Sequence, residues 1–358
     1  MRIIDYCHGW IGFVLLLGGV VGADAATQVT RAPYGVTANH ENVDIFTLRS
    51  GNGMVVRVLT YGGVITEISV PDRNGSFGNV VLSLPDLKAY EAHPNFSSLL
   101  GRYANRIAAG GFTLDGVRHD LPGNAQGISS HGGPNGFSTK VWHAQVVEDG
   151  VALSYESADG ENGYPGRLSV TVRYLLNDAL KIEYTARTDK PTVLNLSHHV
   201  YFNLAGSDAI LGEDAILGED TILGESLQVF ADRYTVFDAR KIPTGEVDPV
   251  AGTALDFRTA TVLGDFSLDH NFVLNDPPRP GATRLAARLS DPVSGRTLEV
   301  RTSQPGMQVY TGRKAGVALE TQHFPNSPNQ AGFPSTVLRP GQVFRSETEW
   351  RFRAEVSQ

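Results

Sequence analysis

Apolar and polar residues alternate at every second position in many segments of this chain, the pattern of half-buried strands. Residues 168–174 (LSVTVRY) and 180–187 (LKIEYTAR) alternate in this way, and an Asn-Asp pair between them is typical of a hairpin turn. Residues 112–114 and 117–119 flank an Asp-Gly pair, the strongest short signal for a two-residue turn. The pattern therefore predicts two β-hairpins.

The same alternation continues elsewhere, whereas helical periodicity is scarce. Residues 142–147 and 151–157 flank Glu-Asp-Gly and predict a third hairpin. Near the C-terminus Trp350 and Phe352 share a strand face with Phe344, and charged residues occupy the other face. The best helical segment is short, at residues 86–92. We expect an antiparallel all-β sandwich with many strands and few short helices.

Length and composition agree with this fold class. The chain has 358 residues, and large β-sandwiches commonly exceed about 200 residues as one domain. Its 39 glycines and 19 prolines suit a fold with many turns, and 41% hydrophobic residues are enough for a substantial core. We expect residues 26–358 to form a single β-sandwich domain.

The N-terminus has the features of a secretory signal peptide. Arg2 precedes an apolar run at residues 10–21, and Ala23-Asp24-Ala25 follows as a small-x-small cleavage pattern. The run is shorter than the ~20 apolar residues of a membrane span, although a short uncleaved anchor is the alternative. The single cysteine, Cys7, lies in this segment, so the mature chain has no thiol. We expect export of residues 26–358 to the periplasm or the medium.

Charge and motifs exclude several classes of partner. A formal net charge of −8 argues against nucleic acid and against stable association with an anionic membrane. The ten histidines lack zinc-like spacing, and no glycine-rich phosphate loop follows a strand, so we expect no metal and no cofactor. We expect a small-molecule substrate and a monomer or weak dimer.

One segment repeats a hexapeptide three times. Residues 208–213 (DAILGE) recur at 214–219 and, with one change, at 220–225. A left-handed β-helix would need more turns to bury a face. We therefore interpret the segment as a duplicated surface loop.

Two segments combine strand-like patterns with ionisable residues. Residues 318–330 (ALETQHFPNSPNQ) place Glu320 in an apolar run, and a buried carboxylate is expensive unless partnered. Glu320 is therefore either a catalytic group or a core glutamate paired with an arginine. Residues 195–204 (NLSHHVYFNL) place His198 and His199 beside two aromatic residues.

Further segments turn these observations into a family resemblance. They are residues 101–107 (GRYANRI), 131–133 (HGG), 269–272 (DHNF) and 304–306 (QPG). Each is weak alone, but with Glu320 and His199 they run in the order found in the aldose 1-epimerase (mutarotase) family. The chain resembles this family over nearly all of residues 26–358. The resemblance implies the family's β-supersandwich (galactose mutarotase-like), and relatives usually carry one hexapeptide unit instead of three.

The resemblance also implies a reaction, the interconversion of α and β anomers of free aldohexoses such as glucose and galactose. Opening a hemiacetal ring requires a base for the C1 hydroxyl and an acid for the ring oxygen, with pKa values near the working pH. The resemblance implies that Glu320 is the base and His199 the acid. His198 is the alternative if the adjacent pair is aligned one residue out of register.

Sugar binding requires planar groups that hold hydroxyls, and the resemblance assigns several residues to it. They are Asn105, Arg106, His131, Asp269 and Gln304. Tyr201 and Phe202 would supply an apolar wall, with packing in the core as the alternative for either.

Two other functions remain open on the sequence. A non-catalytic sugar-binding β-sandwich would keep the recognition residues but needs no matched acid and base. A glycosidase or lyase on a related fold would ordinarily use two carboxylates, and Asp269 with Glu320 is the obvious pair.

Overall fold

The computed structural model describes residues 26–206, 222–276, 281–313 and 315–355. All pairs of named strands in these ranges are antiparallel, which confirms the predicted all-β sandwich. The predicted signal peptide and the first two hexapeptide units, residues 208–219, lie outside the described residues. None of the described helices is both long and apolar enough to cross a membrane.

The first half of the chain forms seventeen short to medium strands. In chain order they are β1 (Gln28–Val36), β2 (Asn42–Arg49), β3 (Val55–Leu59), β4 (Ile65–Pro71), β5 (Phe77–Asn79), β6 (Leu99–Leu100), β7 (Arg106–Ile107), β8 (Gly111–Leu114), β9 (Val117–Asp120), β10 (Ser129–Ser130), β11 (His143–Val147), β12 (Gly150–Ser157), β13 (Leu168–Leu176), β14 (Leu180–Thr188), β15 (Thr192–Val193), β16 (Ser197–His198) and β17 (Tyr201–Phe202).

Eleven further strands follow in the described part of the second half. They are β18 (Ser226–Val229), β19 (Arg233–Phe237), β20 (Pro243–Pro249), β21 (Thr261–Val262), β22 (Asp269–Val273), β23 (Arg284–Ser290), β24 (Arg296–Thr302), β25 (Gly306–Arg313), β26 (Gly316–Gln322), β27 (Val337–Leu338) and β28 (Phe344–Ala354). The helical elements of the described residues are α1 (Leu87–Ala92) and the 3-10 turns Phe137–Thr139, Glu161–Gly163 and Ser327–Asn329.

Three sheets carry most of the strands. The largest has nine strands in the order β11-β12-β13-β14-β28-β24-β23-β18-β21, so the C-terminal strand lies in its middle. The second has six strands in the order β17-β26-β25-β22-β19-β20, and the third has β1 to β5 in chain order. The main core unites apolar residues of all three sheets, among them Val172, Val309 and Ile68, each fully buried. Burial of such a side chain stabilises the fold by about 1.5–3 kcal/mol.

The predicted hairpins are confirmed. Leu176 pairs with Leu180 across the turn between β13 and β14. In the β8–β9 hairpin Asp115 and Gly116 have φ angles of 50° and 80°, as a two-residue turn of type I′ requires. Between β11 and β12, Gly150 is already a strand residue, so that turn is shorter than expected.

The C-terminal strand and the helix also follow their patterns. In β28 the buried positions alternate and include Thr348 and Trp350. Helix α1 begins after Asp86, whose carboxylate accepts a hydrogen bond from the Ala89 backbone N–H at 2.8 Å and so caps the helix.

Two residues at the end of the third hexapeptide unit are buried, so the interpretation as a surface loop is wrong for these two residues. Ile222 is 2% exposed and belongs to the main core. Glu225 is 1% exposed, and its Oε1 accepts a hydrogen bond from the Leu204 backbone N–H at 2.5 Å. This bond joins Leu204, before the hexapeptide units, to Glu225, the last residue of the third unit. Burial raises the pKa of Glu225 to about 8.

Candidate active site

One face of the six-stranded sheet carries a row of polar side chains. The strand register places Gln308 of β25 opposite Glu320 of β26, and Asn271 of β22 opposite Gln308. Directly opposed residues in antiparallel strands point to the same face, so the three side chains lie side by side. Every residue of β26 is buried, because both faces of this strand are covered. The sheet therefore holds polar groups where water has little access.

Glu320 and His199 meet at this face. The Nε2 atom of His199 lies 3.6 Å from Oε1 of Glu320, and their side chains are 9% and 2% exposed. His199 follows strand β16 and is held by its backbone: its N–H donates to the Ser98 carbonyl at 2.9 Å, and its carbonyl accepts from the Ser97 N–H at 3.1 Å. The two ionisable groups are thus fixed beside each other by separate parts of the chain.

His198 points in the opposite direction. Its Nε2 lies 2.9 Å from the Tyr174 hydroxyl, and its ring packs edge-on against Trp350 at a centroid distance of 6.2 Å. Both partners belong to the nine-stranded sheet. Neighbouring residues of an extended chain face opposite sides, so only one of the adjacent imidazoles can reach Glu320. The structure places His199, not His198, beside the glutamate.

Burial shifts the pKa values of the pair in opposite directions. It raises the pKa of Glu320 to about 8. The negative charge of Asp269 adds to this shift, and the positive charge of Arg106 opposes it. It lowers the pKa of His199 to about 4, with Arg313 as an additional positive charge. Loss of water penalises the charged form of each group. At neutral pH the pair consequently holds one proton.

A second pair of charges lies next to Glu320. Arg106 Nη2 is 3.2 Å from Asp269 Oδ2, and Gln308 Nε2 donates to Asp269 Oδ1 at 2.6 Å. Arg106 Nη1 also approaches Asn105 Oδ1 at 3.4 Å. Arg106 therefore pairs with Asp269 and not with Glu320, which removes the interpretation of Glu320 as a core glutamate neutralised by an arginine.

His131 is held in one tautomer by Asn105. The Asn105 backbone N–H donates to His131 Nδ1 at 3.2 Å, and the His131 N–H donates to the Asn105 carbonyl at 2.9 Å. Because Nδ1 accepts, the proton of the neutral ring resides on Nε2, which can donate to a ligand. Burial holds the pKa of His131 well below its usual value, and its ring centroid is 5.4 Å from that of His199.

The turn after His131 requires glycine. Gly132 has a φ of 89°, and a Cβ at this position would lie 1.9 Å from the Gly101 carbonyl oxygen. His131 and Asn105 themselves have φ angles of 51° and 62°, uncommon for residues with side chains. Backbone conformations of this kind persist where the surroundings fix them, often at functional sites.

Two predicted site residues lie elsewhere. Phe202 packs in the main core against Trp350, with ring centroids 5.0 Å apart, because it alternates with Tyr201 along β17. Gln304 precedes β25 and donates from Nε2 to the Ser346 hydroxyl of the nine-stranded sheet at 2.7 Å. For these two residues the structure corrects the expectation. Tyr201 does border the site, with its ring centroid 4.9 Å from that of His199.

Two residues of β25 were missed by the sequence reasoning. Gln308 contacts Asp269, and the Tyr310 ring lies 6.0 Å from that of His199. A signal was present, because residues 306–313 (GMQVYTGR) alternate, with Gln308 and Tyr310 on one face and Met307 and Val309 in the core. The pattern showed that Gln308 and Tyr310 share one face of β25, but not that this face borders the site.

The arrangement fits acid–base chemistry on a hydroxylated ligand. Within the described ranges, Glu320 Oε2 and Gln308 Oε1 are buried and have no hydrogen-bond partner. Buried polar atoms need a partner, and hydroxyl groups of a ligand would supply it. In the same part of the chain no three histidine, cysteine, aspartate or glutamate side chains converge as metal ligands do.

Comparison with known proteins identifies relatives that match over nearly their full length. Galactose mutarotase of Rattus norvegicus is 38% identical over 351 residues, covering 91% of this chain and 98% of the relative. Aldose 1-epimerase of Escherichia coli K12 is 33% identical, covering 87% and 95%. The crystal structure of galactose 1-epimerase from Lactobacillus acidophilus superposes with a TM-score of 0.75 at 29% identity, covering 91% and 99%.

A family model gives the same result. The model described as Aldose 1-epimerase matches residues 44–351, a range that contains Glu320, His199, His131 and the Arg106–Asp269 pair. The match covers most of the three sheets, and the crystal structure shares their arrangement. This chain belongs to the aldose 1-epimerase family.

Proposed function

We propose that this enzyme interconverts the α and β anomers of free aldohexoses, glucose and galactose among them, by opening and reclosing the sugar ring. The observation that carries the proposal is the 3.6 Å approach of Glu320 and His199 in a buried site lined by hydroxyl-binding groups. Membership of the family and the printed activity of the relatives support the same reaction.

Ring opening moves two protons. In our assignment the Glu320 carboxylate takes the proton of the C1 hydroxyl while His199 gives a proton to the ring oxygen, so the bond between C1 and that oxygen breaks. The aldehyde then rotates about the C1–C2 bond and presents its other face. Closure runs the same steps in reverse, with Glu320 returning its proton and His199 recovering one.

The protonation that burial favours suits one half of this cycle. Burial favours a protonated Glu320 and a neutral His199, which is the state that meets the open-chain aldehyde. The closed sugar offers a hydroxyl donor to the carboxylate and an acceptor oxygen to the imidazolium. Hydrogen bonds to the charged forms favour those forms, so binding of the ring shifts the shared proton from Glu320 to His199.

The remaining residues hold the sugar. Asp269, Arg106 and Gln308 form a connected set of donors and acceptors beside Glu320, suited to neighbouring hydroxyls. His131 adds a fixed donor, and the rings of Tyr201 and Tyr310 flank His199. Asp269 is engaged by Arg106 and Gln308, which argues against its use as the second carboxylate of a glycosidase.

Polarimetry tests the proposal. Freshly dissolved α-D-glucose or α-D-galactose should relax to its equilibrium rotation much faster with the purified protein than in buffer alone. The matched control is Glu320→Gln at the same concentration, which should relax at nearly the buffer rate. A wild-type rate equal to the buffer rate for both sugars would refute the proposed reaction.

We also propose that residues 26–358 form the mature domain and are exported. The support is the apolar run at residues 10–21 followed by the Ala23-Asp24-Ala25 pattern. Mass spectrometry of the exported fraction should find a chain that begins at Ala26 or Thr27. An intact Met1 in that fraction would contradict cleavage.

A further inference from the structure

We propose that Asn326 is a positioning residue for Arg106 and that it sets the place of the Arg106 guanidinium beside Glu320. This role rests on the proposed anomer interconversion and deepens it. Asn326 acts on the sugar through Arg106, whose Nη2 lies 3.2 Å from Asp269 Oδ2 in the set of groups proposed to hold the hydroxyls.

The strand that carries Arg106 has a neighbouring strand on one edge only. Strand β7 comprises Arg106–Ile107, and it forms a two-stranded sheet with β10, where Ser130 lies opposite Arg106. Next to this pair, the His131 N–H donates to the Asn105 carbonyl on the same edge. Backbone groups that are buried on the other edge also need partners. The position of Arg106 therefore depends on what supplies them.

Asn326 supplies the partners of the second edge. Its backbone N–H donates to the Arg106 carbonyl at 2.7 Å, and its Oδ1 accepts from the Ala108 N–H at 3.1 Å. The carbonyl of one residue and the N–H two residues later point to the same side of an extended chain, so this one residue takes the place of a third strand. Asn326 is 3% exposed, and Asn329 Nδ2 also donates to its Oδ1, at 2.8 Å.

Asn326 is itself fixed to the strand that carries Glu320. It lies in the loop that follows β26, and the residues on both sides of it contact one buried hydroxyl. The Tyr103 hydroxyl donates to the Phe324 carbonyl at 3.1 Å and accepts from the Ser327 N–H at 3.2 Å. Asn326 has a φ of 59°, a left-handed conformation that asparagine adopts more readily than most residues with side chains. The loop thus connects the position of Glu320 to the backbone of Arg106.

The contact has an electrostatic consequence. The positive charge of Arg106 opposes the rise in the pKa of Glu320. If Arg106 moves away, the pKa of Glu320 rises further, and Asp269 loses its ion pair. Loss of the Asn326 side chain should therefore weaken sugar binding and shift the ionisation of Glu320 to higher pH.

The experiment compares two substitutions of Asn326 with a matched control. Asn326→Gly keeps the left-handed backbone, which glycine adopts readily, and removes the Oδ1 acceptor, whereas Asn326→Asp keeps an acceptor there. The control is Asn79→Ala in the third sheet, because Asn79 Oδ1 likewise accepts from two backbone N–H groups, those of Ile68 and Val81, at 3.1 and 3.2 Å. Calorimetry gives the Kd for galactose, polarimetry gives kcat and KM across pH, and thermal unfolding gives the melting temperature.

We expect Asn326→Gly to raise Kd and KM for galactose by about 10-fold and to change kcat by less than about threefold. The fall of kcat/KM at high pH should move to higher pH. Asn326→Asp should bind galactose within about threefold of wild type, and Asn79→Ala should lower the melting temperature without changing Kd. In an Arg106→Gln background Asn326→Gly should leave Kd unchanged, because the guanidinium through which it acts is absent.

A structural role alone would lower the melting temperature without this dependence on Arg106. If Asn326→Gly binds galactose with the wild-type Kd, or raises Kd equally with and without Arg106, Asn326 does not position Arg106, and anomer interconversion stands. Should Asn326→Gly fail to fold, Asn329→Ala removes one donor to Asn326 Oδ1 and keeps the Ala108 bond. It should raise Kd by about 2- to 5-fold, and an unchanged Kd would overturn the inference.

The two readouts keep the inference separate from the proposed function. If wild type binds galactose but accelerates no anomer interconversion, the proposed function fails and the Kd comparison still decides the role of Asn326. A wild-type enzyme that binds no galactose would overturn both.

Discussion

Two hairpins of this molecule, β13–β14 in the nine-stranded sheet and β25–β26 in the six-stranded sheet, differ in how they are covered. Along β13 and β14 buried residues alternate with residues that retain solvent contact. Along β26 all seven residues are buried, including Glu320 and Gln322. The first hairpin follows its sequence pattern because one face packs and the other meets water. In the second hairpin the face that the pattern assigns to water is covered by loops from other parts of the chain.

The comparison shows how polar groups change when both faces of a strand are covered by protein. On the open face of the first hairpin Arg173 and Glu183 form a 2.9 Å ion pair with side chains 42% and 30% exposed, worth about 0–1 kcal/mol. On the covered face of the second, Glu320 is 2% exposed and its pKa rises to about 8. The same residue type is a surface charge in one sheet and a proton carrier in the other.

The largest predicted effect separates these two glutamates. Glu320→Gln should lower kcat by about 10²–10⁴-fold, because the amide keeps the shape of the side chain but cannot accept the C1 proton. Sugar binding should be largely retained. Glu183→Gln makes the same chemical change on the open face and should leave both kcat and the melting temperature nearly unchanged. A Glu320→Gln enzyme within tenfold of the wild-type rate would remove Glu320 as the base.

His198 and His199 allow the same comparison between two adjacent residues, one in the core and one in the site. His199→Asn should lower kcat by about 10²-fold or more, since it removes the acid. His198→Asn should affect the rate little but lower stability by about 0.5–1.5 kcal/mol, because it removes one hydrogen bond of the Tyr174 hydroxyl, which keeps the Gly63 carbonyl as its acceptor. Rates and thermal unfolding of both variants test this. The reverse pattern would mean that the two imidazoles exchange roles.

Gln308 lies in β25 and Gln304 precedes this strand, and the two glutamines provide a third contrast. Gln308→Ala should raise KM by about 10-fold, since Gln308 contacts Asp269 and leaves an oxygen available for a sugar hydroxyl. Gln304→Ala should instead leave KM unchanged and lower stability by about 1 kcal/mol through loss of the bond to Ser346. Steady-state kinetics and urea unfolding measure the two effects. A KM effect from Gln304 alone would restore the original sequence assignment.

The pH dependence follows from the pair that holds one proton. Between a pKa of about 4 for His199 and about 8 for Glu320 the pair has a single proton, as catalysis requires. Below this range His199 is also protonated and the pair holds two protons. Above it Glu320 is ionised and the pair holds none. kcat/KM should therefore form a plateau and fall by about tenfold per pH unit outside it. An unchanged rate well above pH 8 would contradict the shared proton.

The smallest expected effect concerns the hexapeptide units. Deleting residues 208–219 keeps the third unit, with Ile222 in the core and Glu225 bound to Leu204. Surface insertions carry a small entropic cost, so we expect stability to change little and kcat/KM for glucose by less than about fivefold. Polarimetry and thermal unfolding of the deletion variant measure both. A large loss of stability would show that the deleted units pack as core.

The sequence predicted the strands and hairpins better than it predicted which segments pack against them. Hairpins with local turns, such as β13–β14, depend on residues adjacent in the chain, and their alternation was sufficient. Glu320 and His199 were found because ionisable residues in strand-like runs are unusual. Gln304 was chosen over Gln308 and Phe202 was placed in the site because only the packing of three sheets determines which face is covered. Register across distant strands is not a local property of the sequence.

The distance along the chain between Asn105, His199, Asp269 and Glu320 has a consequence for folding. A working site requires β22, β25, β26 and the turn at His131 to be in place together. Folds dominated by pairings between distant segments form slowly, because the chain must close large loops before they are stabilised. Recovery of anomer interconversion during refolding should therefore coincide with the slowest phase of tertiary structure formation, and the reaction serves as a reporter of the completed sheet.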